Sequence, residues 1–302
     1  MKNQKIGLIG LGSMGGEMAL KFLAAGHDLT VYDINPERLA PSISAGAKIA
    51  DSSAELTQKV DLVMTSLRSS DIWVSVAETE LLPHAEPGQI FIDFGTTTAH
   101  QTRRLAEALS EKGATLLDVP VSGGPNGIRN GNLHMFAGGC REQFDRCVPL
   151  FAAIGDPERI VYCGLSGSGQ IVKGVNQLAM GLGAAAYLEA VSFGVGNGIE
   201  VEAICQAVGG EAGWRQHFES IANQVQQGKG NHVYVKFPEL CYFLDEAEHQ
   251  GYEIPLTRAL YDFCRREELI VPDNMGRDSH PFWHALRCAV RPSGDKAEPS
   301  GT

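Results

Sequence analysis

Through the first 165 residues, short apolar runs alternate with stretches in which apolar residues recur every three or four positions. The runs at 5–10, Leu29–Tyr32, Leu62–Thr65, Ile90–Asp93 and Thr115–Asp118 are almost continuously apolar. Strands buried on both faces read this way. Residues 48–50 are short and extended, and 135–137 and 160–162 are candidate strands near the sheet edge. Residues 14–25 have helical spacing, with Met18, Phe22 and Ala25 along one side. The segment 35–45 predicts a helix opening at Pro36, where a missing amide costs least. Strands alternating with helices predict an α/β domain, a doubly wound parallel sheet with right-handed crossovers.

The pattern changes near residue 166. Residues 168–195 hold Ala, Gly, Val and Leu with no Pro and few charges. A helix of that length would run about 40 Å. Being apolar on most sides, it is expected to be buried. Its small residues (Gly181, Gly183, Ala184, Ala185, Ala186) suit close helix contact. Helical patterns follow at 200–208, 214–227, 238–250, 256–267 and 280–288, and the tail 291–302 reads as disordered. The expected organisation is an α/β domain at 1–165, an all-α domain at 166–290, and a long helix joining them.

Composition narrows the class. The 302 residues are 43% hydrophobic and 20% charged, as in globular proteins. The net charge is -11, shared almost equally between 1–165 and 166–302. Neither part offers a basic face, so no nucleic acid and no anionic membrane surface is expected as a partner. Seven Cys form no C-x-x-C pair, which reads as reduced thiols in a cytoplasmic protein. The apolar N-terminal run is short and broken by glycines, unlike a signal peptide. No stretch is read as long enough to span a bilayer.

Three segments carry candidate chemistry. Gly10-x-Gly12-x-x-Gly15 follows the first strand and opens the first helix. The first glycine permits a tight turn, the second lets a pyrophosphate approach the backbone, and the third allows helix and strand to pack. Helix amides and the positive dipole end then face the phosphates. Asp33 closes the second strand, where a carboxylate accepts ribose hydroxyls and repels a 2′-phosphate. NAD is therefore expected in preference to NADP, bound by a Rossmann domain at 1–165 that leaves 166–290 as the substrate and oligomerisation domain; N-capping of the next helix is a compatible second role for Asp33. Ser122, Gly123 and Gly124 follow the strand ending at Asp118. A loop of exposed amides there suits a carboxylate, although an ordinary turn explains it equally well. Lys173 is the sole Lys or Arg between 160 and 214, on a helix otherwise built for burial. A desolvated amine gives up its proton more readily, as acid/base chemistry needs. A lysine whose stem snorkels at a domain boundary accounts for it equally well. Asn176 and Gln177 lie on the same helix face.

Taken together, the chain resembles the β-hydroxyacid dehydrogenase family, which includes 3-hydroxyisobutyrate dehydrogenase and tartronate semialdehyde reductase. The resemblance rests on Gly10-Leu-Gly12-Ser13-Met14-Gly15, on the Asp118-to-Gly124 segment continuing to Gly131-Asn-Leu133, on Gly167 through Gln177, and on Gly251-x-x-x-Pro255-Leu256. It implies Lys173 as the acid/base lysine and Ser122, Gly123 and Gly124 as holders of the substrate carboxylate. It places Thr96 near nicotinamide and substrate, Asn176 and Gln177 at the substrate, and Leu67 and Arg68 beside the cofactor. It also implies a homodimer or homotetramer acting on a small anionic hydroxyacid or its semialdehyde.

The chain departs from the family pattern at three places. Gln177 stands where a second Asn is usual, Gly95 where a Ser precedes the threonine, and Pro238 and Glu239 where Lys-Asp is usual, with Lys236 two residues early. These departures point to a reshaped, larger pocket. Two rival readings follow: reduction of a bulkier carbonyl or imine, and a non-catalytic dinucleotide-binding module. The retained Lys173 argues against imine reduction and against the module. His280 and His284 are four apart, yet packing explains them better than a metal, and no metal site is expected.

Overall fold

The computed structural model describes residues 4–227, 237–266 and 280–290. The chain divides into two compact units, Met1–Val175 and Asn176–Thr302. The division falls inside the long helix, later than the expected boundary at 165.

The first unit is a nine-stranded sheet. Its strands are β1 (Ile6–Ile9), β2 (Leu29–Tyr32), β3 (Lys48–Ile49), β4 (Leu62–Thr65), β5 (Ile90–Asp93), β6 (Thr115–Asp118), β7 (Val121–Ser122), β8 (Leu133–Gly138) and β9 (Gly155–Gly164). The order is β3-β2-β1-β4-β5-β6-β8-β7, and β9 pairs with β8. Strands β1 to β6 pair in parallel. Strand β8 runs antiparallel to β6 and β7, and parallel to β9. The chain direction of the order reverses between β1 and β4, the switch point where ligands settle in open α/β sheets.

Helices α1 (Gly15–Ala24), α2 (Ala40–Ser44), α3 (Ser53–Lys59), α4 (Ser70–Val76), α5 (Ala99–Glu111), α6 (Gly124–Arg129) and α7 (Arg141–Phe151) connect the strands. Met18, Ala19 and Phe22 put the inner face of α1 at 0% exposure against Leu8, Val31 and Met64. Each large side chain buried this fully contributes about 1.5–3 kcal/mol. The other face of the sheet packs Val63, Phe91 and Leu116 against Leu56, Trp73 and Leu105. The single helix predicted over 35–45 is replaced by a 3-10 turn at Pro36–Arg38 and the short α2. Pro41 accounts for the break, because a proline lacks the amide and its ring blocks the preceding turn.

Helix α8 (Ser168–Gly196) is as long as the sequence predicts. Its burial is not as predicted. One stripe is buried, through Gln170, Lys173, Gln177, Ala184, Leu188 and Val191, while Ile171, Val175, Met180 and Phe193 are exposed. The expectation that no stretch could span a bilayer also fails by length and composition, since α8 is long and apolar enough to do so. Glycine and alanine raise its hydropathy without large aliphatic side chains. Its first turns are hydrogen-bonded to protein, as described below.

The second unit is helical among the described residues, with α9 (Val201–Val208), α10 (Gly213–Gln226), α11 (Phe237–His249), α12 (Pro255–Arg266) and α13 (His280–Val290). Leu188, Leu240, Leu260 and Phe282 form its core, and Val191, Phe218 and Ala222 a smaller cluster. Trp283 packs against both, as a core residue. The tail 291–302 and Lys236 lie outside the described residues.

Candidate active site

The strand register sets a row of groups along one edge of the sheet. Ile9 pairs with Thr65, Thr65 with Asp93, and Asp93 with Asp118, each at the last residue of its strand. The loops that follow these strand ends carry most of the residues singled out in the sequence.

The glycine loop leaves β1 through Gly10, whose φ is 90°, a left-handed conformation that suits glycine. A Cβ at Gly10 would meet Ser66 O at 2.6 Å and Leu67 Cδ2 at 2.9 Å. Leu67 therefore lies against this loop. A Cβ at Gly15 would meet Gly10 O at 1.9 Å, so the third glycine permits α1 to start this close to β1. A Cβ at Gly12 would meet nothing within 4 Å, so the backbone there faces open space. Met14 occupies the N-cap and no side chain caps the helix. Gly16 N already donates to Gly12 O at 2.9 Å, so the glycine loop closes part of the first turn on itself. An open cradle above amides at a helix N-terminus fits a dinucleotide pyrophosphate, with Gly12, exposed Ser13 and Met14 next to it.

Asp33 is buried, and both carboxylate oxygens already accept backbone amides, Leu11 N at 2.6 Å and Asn35 N at 2.8 Å. The helix-capping role falls instead to Asn35, whose side chain accepts from Glu37 N at 3.0 Å. Asp33 therefore ties β2 to the glycine loop as well as presenting a carboxylate there. Arg38 approaches it, at 3.6 Å. Arg68 is exposed beyond Leu67.

Thr96 sits in the loop after β5, between two fixed neighbours. Asp93 accepts Gly95 N and the Thr65 hydroxyl at 2.9 Å each, and the Thr97 hydroxyl at 3.2 Å. Burial pushes the Asp93 carboxyl up to about 6, against the lowering effect of those bonds. Asp118, at the end of β6, accepts Gly167 N at 2.9 Å and Gln170 N at 3.1 Å, the amides that open α8. Burial pushes its carboxyl up to about 7, and nearby Asp93 adds to the rise.

Strand β7 was not visible as a strand in the sequence. Two residues hold it against β8, with Val121 opposite Met135 and Ser122 opposite His134. Gly123 and Gly124 follow with φ of 128° and 63°. Successive positive φ values turn the chain sharply after Ser122 and lead it into α6. Lys173 is 6% exposed, and its Nζ donates to Val121 O at 2.8 Å. The fold thereby joins the lysine helix to the residue next to Ser122, 52 positions earlier.

One turn beyond Lys173, Gln177 is buried and donates through Nε2 to Glu239 Oε2 at 2.8 Å, on α11. Asn176 is half-buried. Glu239 is thus the partner of a residue predicted to meet substrate, although the sequence marked it only as a departure. Gln170, Asp93 and Asp118 are the other organising groups, and sequence reasoning assigned them no role. A weak signal existed for Gln170, a polar residue one turn before Lys173 on an apolar helix. The six described cysteines are free thiols.

Residues 5–164 match the sequence profile of the NAD binding domain of 6-phosphogluconate dehydrogenase. The chain is 34% identical over 265 residues to an uncharacterized oxidoreductase, YkwC, of Bacillus subtilis, covering 85% of this chain and 91% of that one. It is 36% identical over 197 residues to 3-hydroxyisobutyrate dehydrogenase of Pseudomonas aeruginosa, covering 65% of each. Among solved structures, Mycobacterium tuberculosis 3-hydroxyisobutyrate dehydrogenase with L-serine superposes with a TM-score of 0.80 at 22% identity, over 95% of this chain and 99% of that one, which shows the shared fold. The chain is an NAD-binding member of the β-hydroxyacid dehydrogenase family.

Proposed function

We propose that this protein interconverts a small β-hydroxyacid, or a related hydroxy compound, with its semialdehyde or ketone, using Lys173 as the general acid/base. The observation that carries the reading is the buried Lys173 Nζ held 2.8 Å from Val121 O, beside Ser122. NAD supplies the redox chemistry by accepting or returning hydride at its nicotinamide. Gly10, Gly12, Ser13, Met14 and Gly15 would hold its phosphates, Asp33 would accept its ribose, and Leu67 and Arg68 would lie beside it. Lys173 takes the hydroxyl proton in oxidation and returns it to the carbonyl oxygen in reduction. Ser122, Gly123 and Gly124 hold the carboxylate, and Thr96, Asn176 and Gln177 contact the substrate. Positioned proton transfer of this kind is worth about 10²–10⁴-fold in rate. We place the enzyme in the cytoplasm, where its thiols stay reduced, as a homodimer or homotetramer.

The test is turnover on a panel that includes 3-hydroxyisobutyrate and L-serine, followed at the NADH absorbance. Lys173→Ala should lose at least about 100-fold in kcat while NADH binding persists. Retention of kcat within a few-fold removes Lys173 from the reaction.

One observation favours a second reading, reduction of a bulkier carbonyl or imine. Pro238 stands where the family pattern has a lysine, next to Glu239, which is buried against Gln177. Loss of that positive charge disfavours an anionic substrate end. Turnover of bulky carbonyls or cyclic imines without turnover of hydroxyacids selects this reading. The non-catalytic module is excluded by turnover of any substrate.

A further inference from the structure

We infer that Gln170 is a positioning residue, a clamp that sets Thr96 at a fixed distance from Lys173. Gln170 is 2% exposed. Its carboxamide spans the loop after β5: Oε1 accepts Thr97 N at 3.0 Å and Nε2 donates to Gly95 O at 3.0 Å. Thr96 is the residue between these two bonds. The main chain of Gln170 is fixed in turn, because its N–H donates to Asp118 Oδ2 at 3.1 Å. Three residues later on the same helix face, Lys173 Nζ reaches Val121 O. A single helical turn is therefore bonded to the loop after β5, to the end of β6 and to β7.

The chemistry of the clamp is specific. One side chain must offer an acceptor to an amide N–H and a donor to a carbonyl, about one peptide unit apart. A carboxamide of this length does both at any pH, which an ionised carboxylate cannot. A glutamate keeps the acceptor and sets a second oxygen against Gly95 O. A methionine of similar length offers neither. The loop needs such a clamp because Gly95 has no side chain to restrict its backbone. A buried amide and carbonyl left unpaired would also be costly. Asp93 anchors the start of the loop through Gly95 N. Gln170 anchors its far side to the lysine helix.

The inference rests on the roles proposed above for Thr96 and Lys173, and two measurements separate its failure from theirs. The first is hydrogen exchange on the whole chain, which needs no substrate. Gln170→Met should raise exchange at the Thr97 amide at least about tenfold, with protection of the 168–175 turns retained. Unchanged Thr97 protection overturns the clamp. The second is kinetics with the hydroxyacid of highest kcat/KM in the panel above. Gln170→Met and Gln170→Glu should lower kcat about 10–100-fold, the range expected when a reacting group moves by about 1 Å. The affinity for NADH should change less than about threefold. In a Thr96→Val background the same Gln170→Met change should cost less than about threefold, because the group it positions is already gone. Additive losses in the two variants overturn the inference, since a general loss of stability multiplies through. If Thr96→Val and Lys173→Ala leave kcat intact, the proposed function fails instead, and the exchange result still decides the clamp. Should Gln170→Met not fold, Gln170→Leu, which likewise offers neither group, carries the exchange measurement and Gln170→Glu the kinetic one; unchanged Thr97 protection in the first or unchanged kcat in the second overturns the clamp.

Discussion

The glycine loop makes a prediction that separates ligand approach from packing. Gly12 and Gly15 lie three residues apart in one motif, yet a methyl group would meet different surroundings at each. At Gly15 the new Cβ would lie 1.9 Å from Gly10 O and 3.2 Å from Ser66 Cβ. Ordinary van der Waals contact begins at 3.4 Å, so α1 or the loop must move by roughly 1.5 Å. The obstructing atom is main chain, and Gly10 is itself pinned by its N–H bond to Tyr32 O at 2.9 Å. Overpacking of this kind costs about 1–3 kcal/mol or more, which is about 2–10 °C in melting temperature for a domain of this size. At Gly12 nothing lies within 4 Å of the new Cβ. Gly12→Ala should therefore fold with a melting temperature within about 1–2 °C of the parent. Its methyl would instead fill the space over the backbone where the pyrophosphate approaches. Losing one hydrogen bond to a charged phosphate costs about 1.5–3 kcal/mol, so NADH affinity should fall by about tenfold to 150-fold. Differential scanning fluorimetry and NADH fluorescence titration read the two effects separately. Parent-like NADH binding by Gly12→Ala would refute the cradle, and a parent-like melting temperature for Gly15→Ala would refute the packing argument.

Asp118→Asn should change how stability depends on pH. The Asp118 carboxyl is raised to about 7 by burial, from 3.8, so between those values the folded protein binds more protons than the unfolded chain. Its favourable share is complete below about pH 4 and is lost as pH rises through about 7, a swing of about 4 kcal/mol. The melting temperature of Asp118→Asn relative to the parent should therefore rise from pH 5 to pH 8, and parallel curves would show that Asp118 does not titrate this way. Asp33→Ser should move the ratio of NADH to NADPH affinity toward NADPH by about tenfold or more, because the carboxylate is removed and Arg38, 3.6 Å from it, is released. Competitive fluorescence titration measures that ratio, and an unchanged preference refutes the assignment. Gly169→Ala should destabilise the first unit by about 1–3 kcal/mol or more, since its Cβ would lie 2.3 Å from Phe136 O and 2.6 Å from Asp118 O. A melting temperature equal to the parent's would mean that the start of α8 is not seated this closely.

Local chemistry made part of this protein legible from its sequence. Leu29–Tyr32, Leu62–Thr65, Ile90–Asp93 and Thr115–Asp118 were read with the bounds the structure shows, because a buried parallel strand is a short apolar run with polar or turn residues at its ends. The glycine motif, Asp33, Lys173 and the long helix were visible for the same reason: each depends on residues near it in the chain. What escaped depends on contacts far apart in sequence. Strand β7 is two residues long and exists only against β8. The break at Pro41 and the capping by Asn35 are the exception, local features that a one-helix reading of 35–45 overlooked. Helix α8 is apolar all round, so composition could not say which of its faces would be buried. That choice was made by Gln170 bonding to the 95–97 loop, Lys173 to β7 and Gln177 to Glu239, over separations of 73, 52 and 62 residues. Periodicity records which side of an element can be buried. Only the assembled sheet and helices determine which distant donor meets which acceptor there, because a buried polar group takes whichever partner the fold brings within reach.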